Sequence, residues 1–426
     1  MTAAVTAADP RYTWRTVLLS ALVAIVPLAV SVPWKGKALP MLAMLVVGMV
    51  MMARSPDTRL RYRLVRAIVV VGLLRFAYAV FSIAWHKLGW GELDLPAQTL
   101  VFLGTAAVFT APLDWRWIWT VFALTTLVLG GSCIVQHHLL GVERAYGTNG
   151  GDWSAIEFTM VTLCMVLFSI IRLIQPGVPR GERALHALAI VVGAYGAILT
   201  QSRGPMLAFI PALLVVVIVH VRRTGRWHGA ALCVGLLVAG VITATTALHH
   251  EVLHRFGEVG EEVSTFSKDN TAGPVRERLA MWEVAGKAFA EHPIDGVGID
   301  QFGHFTRELV ARGEASPIIA RYDHPHNEYL EAAATGGVPL LLITLLVFAL
   351  PAMHFIRRLD HPDEWTATLA TAGLALVVMY VLSAITDNVF YRAMPHSFYF
   401  YLALGFMLAT ARPVRVAIGA RAEAAR

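Results

Sequence analysis

Long apolar segments alternate with short polar ones along most of the chain. A helix needs about 20 mostly apolar residues to cross a bilayer, and twelve segments approach that length. They lie at roughly 17–34, 38–53, 65–85, 98–113, 117–136, 155–174, 185–201, 205–221, 229–247, 338–355, 366–386 and 394–411. This pattern predicts an all-α polytopic membrane protein with about 12 transmembrane helices.

The composition supports this interpretation. Hydrophobic residues make up 57% and charged residues 15% of the 426 positions, and the mean hydropathy is +0.61. Soluble domains carry about 25% charged residues, so a soluble protein is excluded. Cys133, Cys164 and Cys233 all lie inside apolar segments without metal-ligand spacing, so no disulfide framework is expected.

The positive residues predict an orientation. With a cytoplasmic N-terminus, the cytoplasmic segments and termini hold 20 Lys and Arg residues, and the short outer segments hold six. Positive residues favour the cytoplasmic side. We therefore expect a bacterial inner-membrane protein with both termini in the cytoplasm and the long polar segment 248–337 in the periplasm. Residues 1–426 would form one membrane-embedded domain that includes this segment, and the net charge of +6 reflects topology rather than nucleic-acid binding.

The polar segment 248–337 is predicted to be ordered and helical. Apolar residues recur at helical spacing over 278–290, and a second short helix is expected over 299–312. A third helix, over 325–335, would start at Pro325 and end at Gly336-Gly337. The apolar face of the first helix consists of Leu279, Trp282, Ala285 and Phe289. The glycine-rich turn 295–298 lacks the rest of a dinucleotide fingerprint, so no nucleotide cofactor is expected.

Two histidines stand where the polar segment meets the tenth apolar segment. His324 and His326 flank Pro325. His326 is predicted near the N-terminus of the helix 325–335, where the helix dipole disfavours a charged imidazole, and a neutral imidazole is what a general base requires. With Asp323 and Glu328, the histidines also have metal-site spacing, but the chain has no Asp-x-Asp sequence and no metal is expected. Because the periplasm holds no nucleotide pool, a synthetic reaction there needs an already activated donor, such as a lipid-linked pyrophosphate.

Three separated motifs resemble those of the O-antigen ligase and O-antigen polymerase superfamily (the Wzy_C group). They are TQSRG at 200–204, RxxxW at 278–282 followed by HPxxGxG at 292–298, and HNxYLE at 326–331 followed by TGG at 335–337. The resemblance covers about residues 185–390. It implies a metal-independent, inverting glycosyltransferase with a GT-C-like membrane fold. Such a ligase transfers O-antigen polysaccharide from undecaprenyl pyrophosphate to a sugar hydroxyl of lipid A–core.

The resemblance assigns roles to three residues. The family's essential arginine before the long loop corresponds to Arg203, its loop arginine to Arg278, and its essential histidine to His326. Guanidinium groups bind phosphate through paired hydrogen bonds and stay protonated, which suits a pyrophosphate leaving group, and His326 would accept the proton of the acceptor hydroxyl. Interfacial snorkelling of Arg203, a solvated helix face at Arg278 and helix capping by His326 are the alternatives.

Six further polar residues are candidate substrate contacts because they lie in or beside the motifs, interrupt an apolar span or stand at the outer end of the eleventh span. They are Arg75, Arg276, His324, Asn327, Glu328 and Asp387. Arg75 lies mid-span, where a charge is costly and marks a functional site by default; its partner would be a lipid phosphate or a buried polar group. Asn327 and Glu328 would serve equally well as helix caps, and His324 as a residue that orients its neighbour.

Two other functions remain compatible with the span count. A polymerase of the same superfamily joins repeat units on the lipid carrier and often has two sizeable outer segments, whereas 137–154 is short. A transporter would suit twelve helices, but the chain shows no inverted repeat and few charges inside spans. The expected partners are the undecaprenyl-pyrophosphate-linked O-antigen, lipid A–core and membrane lipids, with no nucleic acid.

Overall fold

The computed structural model describes residues 13–32, 38–148, 155–227, 262–266 and 271–411, with the single positions 231 and 235. These residues form helices and turns, and no strand occurs among them. The predicted all-α fold is therefore confirmed. The α-helices are α1 (Trp14–Val30), α2 (Ala38–Arg54), α3 (Pro56–Leu64), α4 (Arg66–His86), α5 (Asp94–Thr105), α6 (Trp115–His138), α7 (Ala155–Ile174), α8 (Arg180–Leu199), α9 (Arg203–Thr224), α10 (Pro274–Glu291), α11 (Phe302–Ala311), α12 (Glu328–Ile356), α13 (Glu364–Ser383) and α14 (Ala393–Thr410).

Eleven of the twelve predicted apolar segments overlap a helix, and the twelfth, 229–247, lies outside the described residues except at positions 231 and 235. Among the described helices, eight are long and apolar enough to cross a membrane. The pair α2–α3, bent by 97°, would make nine. A polytopic membrane protein is thus confirmed, and the count of twelve spans remains a prediction.

Helices α7 and α13 form the centre of the bundle. In their most apolar windows 89% and 83% of the residues are buried, against 33% in α4. Small residues allow neighbouring helices to approach closely, as at the contact of α6 with α8. A Cβ on Gly196 would lie 2.5 Å from the Cα of Gly130. Small residues at such contacts are typical of membrane bundles, in which close packing drives helix association.

The described part of the polar segment has its own small core. Helices α10 and α11 confirm the two helices predicted over 278–290 and 299–312 to within a few residues. The core consists of Ala280, Met281, Val284, Ala285, Ala288, Phe302, Phe305, Leu309, Ile319 and Ala334. The face of α10 buried in this core includes Ala285 but not Leu279, Trp282 or Phe289, because α10 packs between α11 and the start of α12. These three residues are partly exposed, and their contact with the membrane surface stays a prediction.

The predicted helix over 325–335 starts three residues later than expected, at Glu328, and its predicted end at Gly336-Gly337 coincides with a break in the helix. Helix α12 begins at Glu328 and runs on into the tenth apolar segment, with a kink at Gly337 (φ 57°, ψ −159°). The 293–298 turn holds the kink: Val297 N–H donates to Ala334 O over 2.9 Å, and Val338 N–H donates to Pro293 O over 2.8 Å. Gly337 therefore separates the short helix that follows His326 from the longer apolar part of α12.

Candidate active site

His326 lies in a tight loop directly before α12. Its φ of 51° is uncommon for a residue with a side chain. Asn327 is the N-cap of α12, since its side-chain oxygen accepts the N–H groups of Tyr329 and Leu330. The Asn327 N–H donates in turn to Asn388 Oδ1 over 2.7 Å. These bonds on the following residue hold His326 in its unusual backbone conformation.

Asp387 is the hydrogen-bond partner of His326. The His326 Nδ1 lies 2.9 Å from Asp387 Oδ1, which also accepts the N–H of Asn388 over 2.9 Å. Burial raises the pKa of the Asp387 carboxyl, but the hydrogen bond and charge of His326 outweigh it, and the pKa lies below its usual value. An ionised carboxylate only accepts, so in the neutral imidazole Nδ1 carries the proton and Nε2 the lone pair. This arrangement prepares His326 to act as a general base.

His324 packs beside this pair. Its ring centroid lies 4.4 Å from that of His326 and 4.3 Å from that of Tyr391. Burial, followed by the proximity of His326, lowers the pKa of His324 to about 4, so the ring is neutral at neutral pH. The stacking places His324 where it can orient its neighbour.

The structure groups His324 and His326 with Asp387, and not with the Asp323 and Glu328 considered in the sequence. Ligand atoms of His324, His326 and Asp387 all lie within 4.8 Å of one another and could hold a metal ion. The other two residues are engaged elsewhere. Asp323 pairs with Arg307 over 3.0 Å, and Glu328 accepts the N–H of Phe390 over 2.9 Å. The His326–Asp387 hydrogen bond already uses one ligand atom of each residue.

Arg203 is the first residue of α9 and is half-buried. The next residue, Gly204, packs so closely on Thr386 that a Cβ would lie 2.4 Å from the threonine hydroxyl oxygen. Thr386 immediately precedes Asp387. The N-terminus of α9 therefore meets the Asp387 loop, and its helix dipole adds to the positive charge of Arg203 there.

Arg278 lies on α10, one turn before a residue that contacts the His326 loop. The Trp282 Nε1–H donates to Pro325 O over 3.0 Å, and Pro325 is adjacent to His326. Arg278 is half-buried, and no hydrogen bond or ion pair joins its side chain to another residue that the structure describes. A cation in this position is available to an anionic ligand.

Arg276 is held by local contacts. Its guanidinium donates to Ala272 O over 3.0 Å and to Thr265 Oγ1 over 2.7 Å. These bonds fix the start of α10, so the structure gives Arg276 a local role, and a substrate contact remains a prediction.

A polar cluster missed in the sequence ties α10 to the His326 loop. The Glu277 carboxylate accepts from Arg321 over 2.6 Å and from the Tyr322 hydroxyl. Burial raises the pKa of Glu277, but the hydrogen bonds from Tyr322 and Arg321 lower it by more, so the pKa lies below its usual value. The Tyr322 ring packs on His326, with centroids 5.6 Å apart. Nothing in the spacing of these residues in the sequence indicated the contact.

Arg75 and Glu328 line one cavity, together with Glu331 and Asn388. The Arg75 guanidinium lies over the rings of Phe390 and Phe400, 5.1 and 5.7 Å from their centroids. The sequence marked Arg75 and Glu328 separately and gave no signal that they share a cavity.

Comparison with known proteins covers most of the chain. Residues 188–345 match the family model described as O-antigen ligase. A Haemophilus influenzae protein described as uncharacterized is 21% identical over 340 residues, covering 79% of this chain and 84% of that protein. The O-antigen ligase of Escherichia coli K12 is 20% identical over 272 residues, covering 62% of each chain. Arg203, Arg278 and His326 lie inside the family match, whereas Arg75 and Asp387 lie outside it. The chain thus resembles the O-antigen ligase and polymerase superfamily, as its three motifs predict.

Proposed function

We propose that this protein is an O-antigen ligase, a glycosyltransferase that moves a polysaccharide from a lipid-linked pyrophosphate to a sugar hydroxyl. The observation that carries the proposal is the His326–Asp387 pair, with its free Nε2, next to the elements that bear Arg203 and Arg278. A base and two cations meet the needs of a displacement on a glycosyl pyrophosphate. The similarity to the Escherichia coli O-antigen ligase supports this choice.

In the proposed reaction the acceptor hydroxyl oxygen attacks the anomeric carbon from the side opposite the pyrophosphate, so the configuration inverts. The bond from carbon to the pyrophosphate oxygen breaks, and its electron pair leaves with undecaprenyl pyrophosphate. The acceptor proton passes to Nε2 of His326, and Asp387 stabilises the resulting imidazolium. Arg203 and Arg278 neutralise the charge that grows on the leaving group. A base of this kind contributes roughly 10² to 10⁴ in rate.

The proposed setting is the bacterial inner membrane, with the site on the periplasmic side and both termini in the cytoplasm. The donor is undecaprenyl-pyrophosphate-linked O-antigen and the acceptor is lipid A–core. Positive charge from the two arginines takes the part that a metal plays in other transferases. Full transfer by the purified protein in excess EDTA supports this. A loss that one divalent cation restores would instead assign His324, His326 and Asp387 to a metal.

In vitro transfer tests the function. Purified full-length protein is supplied with lipid-linked O-antigen and lipid A–core, and the product is followed by gel mobility. His326→Ala, Arg203→Ala and Arg278→Ala should each lose most activity, while His304→Ala, which removes an exposed histidine of α11, should retain it. Normal transfer by His326→Ala would rule out the proposed base. Extension of the lipid-linked donor in place of transfer to lipid A–core would favour a polymerase.

A further inference from the structure

A cavity of about 340 Å³ reaches Asn388, the residue that follows Asp387. Its walls come from α4, the 3₁₀ turn Trp90–Leu93, α5 and α12, with the 388–391 stretch closing one side. It extends from the exposed Asp300 to the buried Thr344. Neither Arg203 nor Arg278 is among its lining residues.

The lining of this cavity is rich in carboxyl groups. Five of them line it, and Arg75 is the one basic residue among the described lining residues. The carboxyl groups are those of Glu92, Asp94, Asp300, Glu328 and Glu331. A pyrophosphate would find only one cation, Arg75, in this lining. Sugar hydroxyl groups, in contrast, form hydrogen bonds with carboxyl groups in either protonation state.

Several buried polar atoms of the lining have no hydrogen-bond partner among the described residues. Thr344, 1% exposed, leaves its Oγ1 unpaired. Two more such atoms are the Nδ2 of the fully buried Asn388 and the Oε2 of Glu331. An unpaired buried polar group costs about 1–3 kcal/mol. The lining therefore offers donors and acceptors that a hydroxyl-rich ligand would satisfy.

Two contacts connect the cavity to the proposed base. Asn388 accepts the N–H of Asn327 and donates its own N–H to Asp387, so it borders both places. Tyr391 lines the cavity and its ring contacts that of His324, which contacts the ring of His326 edge-on. Two rings, those of Tyr391 and His324, thus separate this wall of the cavity from the imidazole.

We infer that this cavity binds the sugar of the acceptor and presents one of its hydroxyl groups to His326. The inference rests on the proposed function and adds to it that donor and acceptor occupy separate places, the donor at the arginines and the acceptor among the carboxylates. The faces of Tyr78 and Tyr391 supply apolar surface for the sugar ring. Arg75, over its two phenylalanine rings, balances part of the carboxylate charge.

Steady-state kinetics of the purified full-length protein tests the inference. The donor is lipid-linked O-antigen and the acceptor is lipid A–core. Glu331→Gln, the rim variant Asp300→Asn and the cavity-filling Ala332→Leu should raise the acceptor KM by about tenfold or more, since the first two weaken hydrogen bonds to the sugar and the third occupies its space. The donor KM should change less than about twofold. Glu308→Gln, an exposed carboxylate of α11 outside the cavity, is the matched control.

Calorimetry with lipid-free core oligosaccharide provides a readout independent of transfer. Binding weakened by Asp300→Asn but unaffected by Arg278→Ala supports the inference. A raised donor KM or an unchanged acceptor KM in these variants would overturn it. If the wild-type protein transfers nothing to lipid A–core, the proposed function fails; if it transfers normally and the cavity variants behave like Glu308→Gln, only the acceptor site fails.

Discussion

The imidazole of His326 obtains its reactive form from a residue 61 positions away. Sequence reasoning relied on the dipole of a helix beginning at Pro325 to keep the ring neutral. In the structure the helix begins at Glu328, and the Asp387 carboxylate selects the tautomer with Nε2 free. We therefore propose that Asp387, predicted only as a substrate contact, is a positioning residue that acts through His326.

Replacement of Asp387 tests this role. Asp387→Asn should lower kcat by roughly 10² to 10⁴, because an amide no longer stabilises the imidazolium or selects the tautomer. The KM values of donor and acceptor should change little, since Asp387 is buried and contacts neither in the proposed mechanism. Asp323→Asn, which removes an exposed carboxylate near His326, is the control. An unchanged kcat in Asp387→Asn would remove Asp387 from the mechanism.

The titration of Asp300 should make the stability of the protein depend on pH. Burial, then the hydrogen bond and charge of Glu92 and the charge of Asp323, raises the pKa of Asp300 to about 7 from 3.8. The folded protein thus holds this proton between pH 3.8 and 7, the unfolded chain does not, and stability falls as pH rises through that window. The Tm of Asp300→Asn should exceed that of the wild type by an amount that grows as the pH rises through this window. The difference should reach a few degrees at most, because the group is partly exposed. A difference in Tm that is constant with pH would contradict the raised pKa.

At the scale of elements, the kink in α12 decides where the site lies. Tyr78 of α4 donates to Gly336 O over 2.9 Å and to Asp295 O over 3.1 Å, so α4, the 293–298 turn and α12 meet at the kink. The HPxxGxG motif thus has a structural explanation. It supports the first turns of α12, which carry the carboxylates of the cavity.

Gly337→Ala tests this support. A Cβ at this position would lie 2.5 Å from Pro293 O, and the backbone angles are almost exclusive to glycine. The strained backbone alone should lower the free energy of unfolding by about 1–3 kcal/mol. A thermal melt of the detergent-solubilised protein should show a lower Tm, and the transfer activity should fall. Gly286→Ala in α10 is the matched control: its Cβ meets open space, and stability should rise by about 0.5–1 kcal/mol. Equal melting of both variants would argue against a structural kink.

At the scale of the whole molecule, two ends of the bundle have different chemistry. One end carries His326, Asp387 and the polar segment. The other carries ion pairs that tie helices together: Arg172 with Glu182 over 2.6 Å, both almost buried, and Arg223 with Glu364 over 3.0 Å. The predicted orientation would place the second end in the cytoplasm.

Cysteine labelling in intact cells tests that orientation. In a background in which Cys133, Cys164 and Cys233 are replaced by alanine, a membrane-impermeant maleimide should label Glu308→Cys on α11. It should not label Asp360→Cys, between α12 and α13, until the inner membrane is permeabilised. Both positions are exposed. The reverse labelling would invert the topology and remove the periplasmic donor from the proposal.

By itself the sequence determined the elements that depend on local pattern. Apolar runs located eleven of the described helices, and short motifs marked Arg203, Arg278 and His326 as candidates, because span length and helix-breaking residues are written within one stretch of chain. Only the tertiary structure decided the buried face of α10, the His326–Asp387 pair and the cavity joining Arg75 to Glu328 and Glu331. Each of these brings together residues distant in the chain, and helix packing, which no local periodicity encodes, selects which side chains meet.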